Sequence, residues 1–226
     1  MPRDVRTPIL GSILSALMLA PVALLAYSVG PTARLDRSIL VRLDRPEGSN
    51  GHELASLVAH LSDPLPFLVI LAAIVLVGLV ARRGRETAAA VVLVAGANLT
   101  TQVLKHLLQH SRFDIQYGLH QPLSEAFPSG HATAAASLAV ALLLVVPPGL
   151  RPLAAAGGAA FLAAVGIAVV VIQSHYPSDV LGGLLVVASW TFAVIAALRL
   201  LRPRGPDSPP REKRETATGQ VAVSLQ

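Results

Sequence analysis

The chain has 226 residues, of which 53% are hydrophobic and only 14% are charged, and its mean hydropathy is +0.62. These values exclude an ordinary soluble domain and indicate a membrane protein, while the absence of cysteine excludes disulfides, a thiol nucleophile and thiolate metal sites. The formal charge of +5 does not indicate nucleic-acid binding, because the basic residues follow a membrane topology.

Six long stretches of the chain contain no Asp, Glu, Lys or Arg. They are Thr7 to Ala33, Pro64 to Ala81, Thr87 to Leu104, Ala126 to Leu150, Pro152 to Ser178 and Val180 to Leu198. A helix of roughly 20 residues crosses a hydrocarbon core of about 30 Å, and lipid requires the backbone to be helical. We therefore predict an all-α polytopic membrane protein, with a six-transmembrane-helix bundle in residues 1–201. The first stretch is longer than the core of a signal peptide and is predicted to be a retained span.

The segments outside these stretches have their own compositions. Residues 31–63 mix charges with apolar residues at helical spacing, which predicts short helices at the outer interface. Residues 202–226 are basic and rich in proline, so we predict a disordered cytoplasmic tail. In the predicted bundle, 12 basic residues fall on one side and six on the other. The positive-inside rule then places both termini in the cytoplasm of a multi-pass plasma-membrane protein.

Small and polar residues within the apolar stretches predict helix contacts. Glycines in the fifth stretch predict close helix packing: Gly157, Gly158 and Gly166. Polar residues in the third stretch are interpreted as interhelical hydrogen-bonding groups: Asn98, Thr100, Thr101 and Gln102.

Three short polar blocks border the apolar stretches, and the predicted topology brings all three to the non-cytoplasmic face. They are Lys105 to Arg112, Phe127 to His131, and Ser174 to Asp179. In the first block, Lys105 and Arg112 are seven residues apart, which is about two turns of a helix, so both would project from one face. Each block alone is compatible with anchors, a turn or a helix start. Their coincidence on one face indicates a functional site.

Phosphoryl transfer needs a cationic clamp, an in-line nucleophile and a proton donor for the leaving oxygen. Arg112 offers a planar fork and Lys105 a point charge, which together would hold a phosphate dianion. Ser129 and Gly130 are predicted to lie at a helix N-terminus, where the hydroxyl and backbone N–H groups bind an anion.

Two histidines remain for the proton-coupled steps. Asp179 follows His175 by four residues and would orient its ring if Pro177 opens the last helix, so we predict that His175 is the nucleophile. His131 has no neighbouring carboxylate in the sequence and is assigned as the acid that protonates the leaving group.

These blocks resemble the three signature motifs of the type 2 phosphatidic acid phosphatase superfamily, over roughly Leu65 to Leu198. The resemblance implies a phosphohistidine intermediate on His175, no metal or other cofactor, and a six-helix bundle with its site at the outer membrane surface. A site at that interface favours lipid-linked substrates. Undecaprenyl diphosphate, phosphatidate and phosphatidylglycerol phosphate all fit.

The chain departs from the family pattern at two places. The first motif usually ends in Arg-Pro, whereas Phe113 follows Arg112 here. The third motif usually begins with Ser-Arg, where this chain has Ala168 and Val169, so a second phosphate-binding arginine is missing. Three nearby residues are weakly supported substitutes: His110, His120 and Gln173.

Other functions are compatible with parts of the sequence. His106 and His110 have the i, i+4 spacing of zinc helices, but no Glu follows His106 and no third ligand is evident. A serine hydrolase built on Ser129 would lack the Gly-x-Ser-x-Gly elbow. The strongest alternative is a catalytically impaired membrane protein that binds or moves lipid phosphates, with the missing arginine as its signature.

Overall fold

The computed structural model describes residues 5–27, 30–108, 113–114, 119–120 and 127–201. In these residues the chain forms the helices α1 (Arg6–Tyr27), α2 (Pro31–Leu43), α3 (Asn50–His60), α4 (Pro64–Val80), α5 (Gly84–Leu107), α6 (Gly130–Val145), α7 (Arg151–Val171) and α8 (Pro177–Leu200). A 3₁₀ turn, Pro148–Leu150, precedes α7. Two short strands, β1 (Phe113–Asp114) and β2 (Leu119–His120), pair antiparallel. The predicted tail, residues 202–226, lies outside the described residues.

Among the described residues, four helices are long and apolar enough to cross a membrane: α1, α5, α7 with its preceding 3₁₀ turn, and α8. The consecutive helices α3 and α4 meet at a bend of 53° and give a fifth span if they are counted together. Helix α6 is apolar but has only 16 residues. The chain is therefore an all-helical, multi-pass membrane protein with four or five spans by length and composition. The predicted short helices in residues 31–63 are confirmed as α2 and α3.

Helix α6 is the centre of the bundle, because it contacts α4, α5, α7 and α8. Its small side chains allow this crowding, and every residue from Ala132 to Leu138 is buried. The hydroxyls of Thr133 and Thr101 lie 3.0 Å apart and join α6 to α5. Because lipid offers no competing partners, such pairs stabilise helix contacts inside a bilayer.

The predicted hydrogen bonds of the third apolar stretch are confirmed for three of its four polar residues. Thr101 pairs with Thr133 as described above. The Asn98 side-chain amide donates to Ser137 Oγ of α6 at 3.2 Å, and the Trp190 indole N–H of α8 donates to Thr100 Oγ1 at 3.0 Å. Helix α5 is thus tied to both of the helices that carry predicted catalytic residues.

The two ends of the bundle differ in composition. At one end the Arg83 guanidinium donates to the carbonyl of Val146, 2.9 Å away, which joins the α4–α5 turn to the end of α6. The helix order also brings Arg82, Arg85, Arg151 and Arg199 to this end. At the opposite end the Ser129 N–H donates to the carbonyl of Asp179 at 2.9 Å. All three polar blocks border helix termini at that second end.

The prediction that glycines of α7 pack closely holds for Gly158 and is wrong for Gly157. A β-carbon at Gly158 would lie 2.9 Å from the Ala139 side chain of α6, whereas one at Gly157 would have nothing within 4 Å. At Gly166 it would make ordinary contact with Val180 at 3.4 Å. Helix α7 therefore approaches α6 through only one side of its glycine pair.

The tightest backbone approach near the polar blocks is between α8 and the start of α6. A β-carbon at Gly183 would lie 2.8 Å from the carbonyl oxygen of Ser129 and 3.2 Å from the backbone nitrogen of Thr133. Backbone atoms cannot move aside as a flexible side chain can. Any larger residue at this position must therefore separate the two helices.

We expect Gly183→Ala to destabilise the protein by about 1–3 kcal/mol, as overpacking does in other cores. The measurement is the thermal unfolding midpoint in detergent, which should fall by several degrees. Gly157→Ala is the matched control, because both glycines lie within helices but only Gly183 is enclosed. Equal midpoints for the two variants would contradict this packing.

Candidate active site

The structure brings together the described parts of all three polar blocks. Lys105 lies in the last turn of α5, His131 in the first turn of α6, and His175 and Asp179 at the start of α8. Arg112 lies outside the described residues, so its predicted role as a phosphate ligand stays a prediction.

A tight turn after α7 sets the position of His175. The carbonyl of Val169 accepts the backbone N–H groups of Ser174 and His175, at 3.0 and 3.1 Å, and also the Ser174 hydroxyl at 3.0 Å. Gln173 takes the left-handed conformation, with φ of 56°, which reverses the chain at the end of the helix. His175 is consequently held in the protein interior, with 6% of its surface exposed.

Asp179 lies behind His175 and is completely buried. One carboxylate oxygen, Oδ2, accepts the N–H of Tyr176 at 2.9 Å and so caps the first turn of α8. The same oxygen is 3.6 Å from Nδ1 of His175, which is too long for a hydrogen bond. Nδ1 is buried and has no other partner in the described chain. The Asp179 carboxylate therefore lies next to Nδ1 of His175 without a hydrogen bond between them.

The second histidine faces the first across the site. The ring centroids of His131 and His175 are 5.8 Å apart, at an interplanar angle of 67°. His131 is more accessible, since 31% of its side chain is exposed compared with 7% for His175. At this separation the two rings are in edge-to-face contact, so a group that reaches one ring is also close to the other.

Ser129 holds the first turn of α6 in place. It is fully buried, and its side-chain oxygen accepts the N–H of Ala132 at 3.3 Å as the N-cap of the helix. The backbone N–H of Ser129 donates to the backbone carbonyl of Asp179. In the part of the chain that the structure describes, the N–H groups of Gly130 and His131 have no acceptor, as is usual for the first residues of a helix.

The Lys105 ammonium lies beside this helix terminus. A β-carbon at Gly130 would be 3.7 Å from Lys105 Cε and 3.9 Å from its Nζ. A flexible cation and the positive end of a helix dipole thus lie together at the start of α6. This combination has the chemistry to bind an anion.

The structure shows what occupies the position of the missing arginine. Val169 is completely buried and Ala168 nearly so, and both pack in an apolar cluster with Leu40 of α2 and Ala135 of α6. This part of α7 therefore supplies a turn-forming carbonyl and core packing, without a charge. Of the three candidate substitutes, Gln173 lies at the turn before His175, His110 falls outside the described residues, and nothing is described of the His120 side chain.

Two carboxylates near the site were not among the residues singled out from the sequence. Asp36 of α2 is buried and accepts both the backbone N–H and the hydroxyl of Ser178, at 3.1 and 2.5 Å. Asp63, between α3 and α4, lies 3.4 Å from Nε2 of His131. Asp63 precedes Pro64 and therefore has the sequence signature of a helix start, but no spacing connects either carboxylate with the site.

Within the described ranges, no group of three or more His, Cys, Asp or Glu side chains is arranged to hold a metal ion. His106 lies in the last turn of α5 and is exposed. Its proposed zinc partner, His110, is outside those ranges.

Comparisons with known proteins identify the fold and the family of this chain. A solved structure, described as the crystal structure of the first transmembrane PAP2 type phosphatidylglycerolphosphate phosphatase from Bacillus subtilis, superposes with a TM-score of 0.70. The match covers 86% of this chain and 99% of the other, at 20% sequence identity, and so establishes a shared fold. No curated protein matches the sequence significantly. The sequence profile of the PAP2 superfamily matches residues 86–202, which include all of the predicted catalytic residues, and the chain belongs to that superfamily.

Proposed function

We propose that this protein is a membrane phosphatase that hydrolyses a lipid-linked phosphomonoester or diphosphate through a phosphohistidine on His175. The observation that carries the proposal is the pair of facing imidazoles, 5.8 Å apart, with the buried Asp179 behind one of them. Membership of the PAP2 superfamily supports the same chemistry.

In the proposed first step, Nε2 of His175 attacks phosphorus and the bond to the leaving oxygen breaks. Nδ1 faces Asp179, so the buried carboxylate stabilises the charge that develops on the ring. His131 donates its proton to the leaving oxygen. Lys105 and Arg112, with the N–H groups of the first turn of α6, are proposed to bind the phosphate oxygens.

In the second step, neutral His131 accepts a proton from water, which attacks the phosphohistidine. The P–N bond breaks, inorganic phosphate leaves and His175 is restored. Neither step requires a metal ion, because the cations and helix N–H groups supply the electrostatic stabilisation. We therefore propose a metal-independent reaction.

The proposed topology has six spans: α1, α4, α5, α6, α7 and α8. The arginine-rich end of the bundle would face the cytoplasm, together with both termini, by the positive-inside rule. The site would then open at the outer face of the plasma membrane, where it can reach head groups while the lipid tails stay in the bilayer. Undecaprenyl diphosphate, phosphatidate and phosphatidylglycerol phosphate all satisfy this geometry.

A binding protein without catalysis would need cations more than it needs a buried His–Asp pair. Asp179 is completely buried, and the oxygen that caps α8 also lies 3.6 Å from Nδ1 of His175, a placement that phosphate binding alone does not need. Because Val169 stands where the family usually has an arginine, we expect this protein to bind the phosphate group less tightly. The absence of that arginine leaves the nucleophile and the acid in place.

His175→Ala should lower the rate of phosphate release by at least about 1,000-fold, because no other group in the proposal replaces the nucleophile. The measurement is inorganic phosphate released from polyprenyl diphosphates and phospholipid phosphates by detergent-purified protein with EDTA present. The wild type should stay active under these conditions.

His106→Ala is the matched control, since this histidine is exposed near the same end of the bundle and should leave activity unchanged. Loss of activity in EDTA together with loss in His106→Ala would support the zinc alternative instead. Binding of lipid phosphates without release from any of them would establish a non-catalytic binder.

Gly130→Ala should fold normally but raise the KM by roughly 10- to 100-fold, because the new methyl group would lie where the phosphate approaches α6. The fold tolerates the change, since the added β-carbon would meet nothing closer than Lys105 Cε at 3.7 Å. Thermal midpoint and KM are measured together, with Gly149→Ala as the control in open space at the other end of the bundle. An unchanged KM would place the phosphate elsewhere.

A further inference from the structure

The break between α3 and α4 brings a carboxylate to the mouth of the site. Helix α3 ends at His60 and α4 begins at Pro64, with a bend of 53° between them. Asp63 lies at the bend as the N-cap of α4, and 40% of its side chain is exposed. The bend thus places this side chain next to α6.

Asp63 occupies an N-cap position, but its side chain does not cap the helix. An N-cap side chain normally accepts the N–H of the second or third helical residue. The third residue of α4 is Pro66, which has no N–H, and the first is Pro64. One of the two backbone N–H groups that usually bind an N-cap side chain is therefore missing. The Asp63 carboxylate instead contacts His60 and His131.

The two oxygens of Asp63 serve different partners. Oδ2 lies 2.7 Å from Nδ1 of His60, one turn earlier in the chain. Oδ1 lies 3.4 Å from Nε2 of His131, across the site. His60 is in turn 3.4 Å from the hydroxyl of Ser56. Asp63 is therefore shared between the exposed His60 and His131, and its contact with His60 is the shorter of the two.

We propose that Asp63 is a positioning residue for His131, and that it keeps the proton of this general acid in place for transfer to the leaving oxygen. The inference rests on the proposed function, since it assumes that His131 is the acid. Among the described residues, the other charged or titratable groups that act on His131 are His175 and Lys105. Both would oppose a positive charge on His131, so a carboxylate is the group needed to favour it.

The proton inventory of the reaction explains why this contact matters. In the cationic state, Nε2–H of His131 donates to Asp63 and Nδ1–H is left to donate to the leaving oxygen. After transfer, His131 is neutral. The remaining proton stays on Nε2 and still donates to the Asp63 carboxylate. Nδ1 is then the acceptor for the proton of the attacking water in the second step. Asp63 therefore fixes one tautomer through both halves of the cycle.

This arrangement gives the site two His–Asp pairs with different environments. Asp179 is completely buried and faces the buried His175. Asp63 is accessible and faces the accessible His131. A nucleophile benefits from exclusion of water, whereas an acid that later activates water must be reached by it.

The test compares substrates whose leaving groups differ in basicity. A short-chain alkyl phosphate expels a strongly basic alkoxide and depends on the acid, whereas 4-nitrophenyl phosphate expels a stable anion and does not. We expect Asp63→Asn to lower kcat/KM by about 10- to 100-fold on the alkyl phosphate and by less than about threefold on the nitrophenyl ester. Asp63→Glu should recover part of the loss.

Two further variants separate this inference from the proposed function. His131→Ala should show the same leaving-group dependence more strongly, and adding Asp63→Asn to it should cause no further loss on the alkyl phosphate. Asp44→Asn, an exposed aspartate at the end of α2, is the matched control and should leave both rates unchanged.

An equal loss on both substrates in Asp63→Asn, or an additive loss in the double variant, would overturn the role of Asp63 if His131→Ala still discriminates between them. If His131→Ala does not discriminate either, the assignment of the acid in the proposed function fails, and this inference fails with it.

Discussion

The contact between the first turns of α6 and α8 is the constraint on which the site depends. The Ser129 N–H donates to the carbonyl of Asp179, and Gly183 lets the two backbones approach closely enough for that bond to form. In lipid each of these polar groups would be costly without its partner. One hydrogen bond therefore links the helix that carries His131 to the helix that carries Asp179.

The rest of the fold supports this contact from outside. Helix α5 is joined to α6 by the hydroxyls of Thr101 and Thr133 and to α8 by the indole of Trp190. These contacts fix the position of α5, and with it that of Lys105, relative to α6 and α8. Helix α2 binds the first turn of α8 through Asp36 and Ser178. The α3–α4 bend adds Asp63 from the remaining side. The carboxylates of Asp36, Asp63 and Asp179 thus lie at or beside helix N-termini, where the helix dipole favours negative charge.

The sequence alone is sufficient to predict those features of the fold and the site that depend on local patterns. Long uncharged stretches predict helices, and six of the eight described helices coincide with them. The i, i+4 spacing of His175 and Asp179 predicts their proximity, because Pro177 begins a helix at the expected residue. The burial of Val169 in an apolar cluster, and the close packing of Gly158 but not of Gly157, depend on which residues lie opposite them in the fold. Local sequence patterns do not give this information. Asp63 and His131 are 68 positions apart, and no local pattern relates them.

The most direct test of the central claim is to trap the covalent intermediate. Purified protein is mixed with a ³²P-labelled lipid phosphate, quenched with alkali within milliseconds to seconds, and analysed for label bound to protein. We expect a phosphoenzyme that is stable in base and labile in acid, because the phosphate would be held by a P–N bond. Its site should map to His175, and the label should be absent in His175→Ala. Rapid phosphate release with no such adduct at any quench time, or an adduct that survives in His175→Ala, would contradict it.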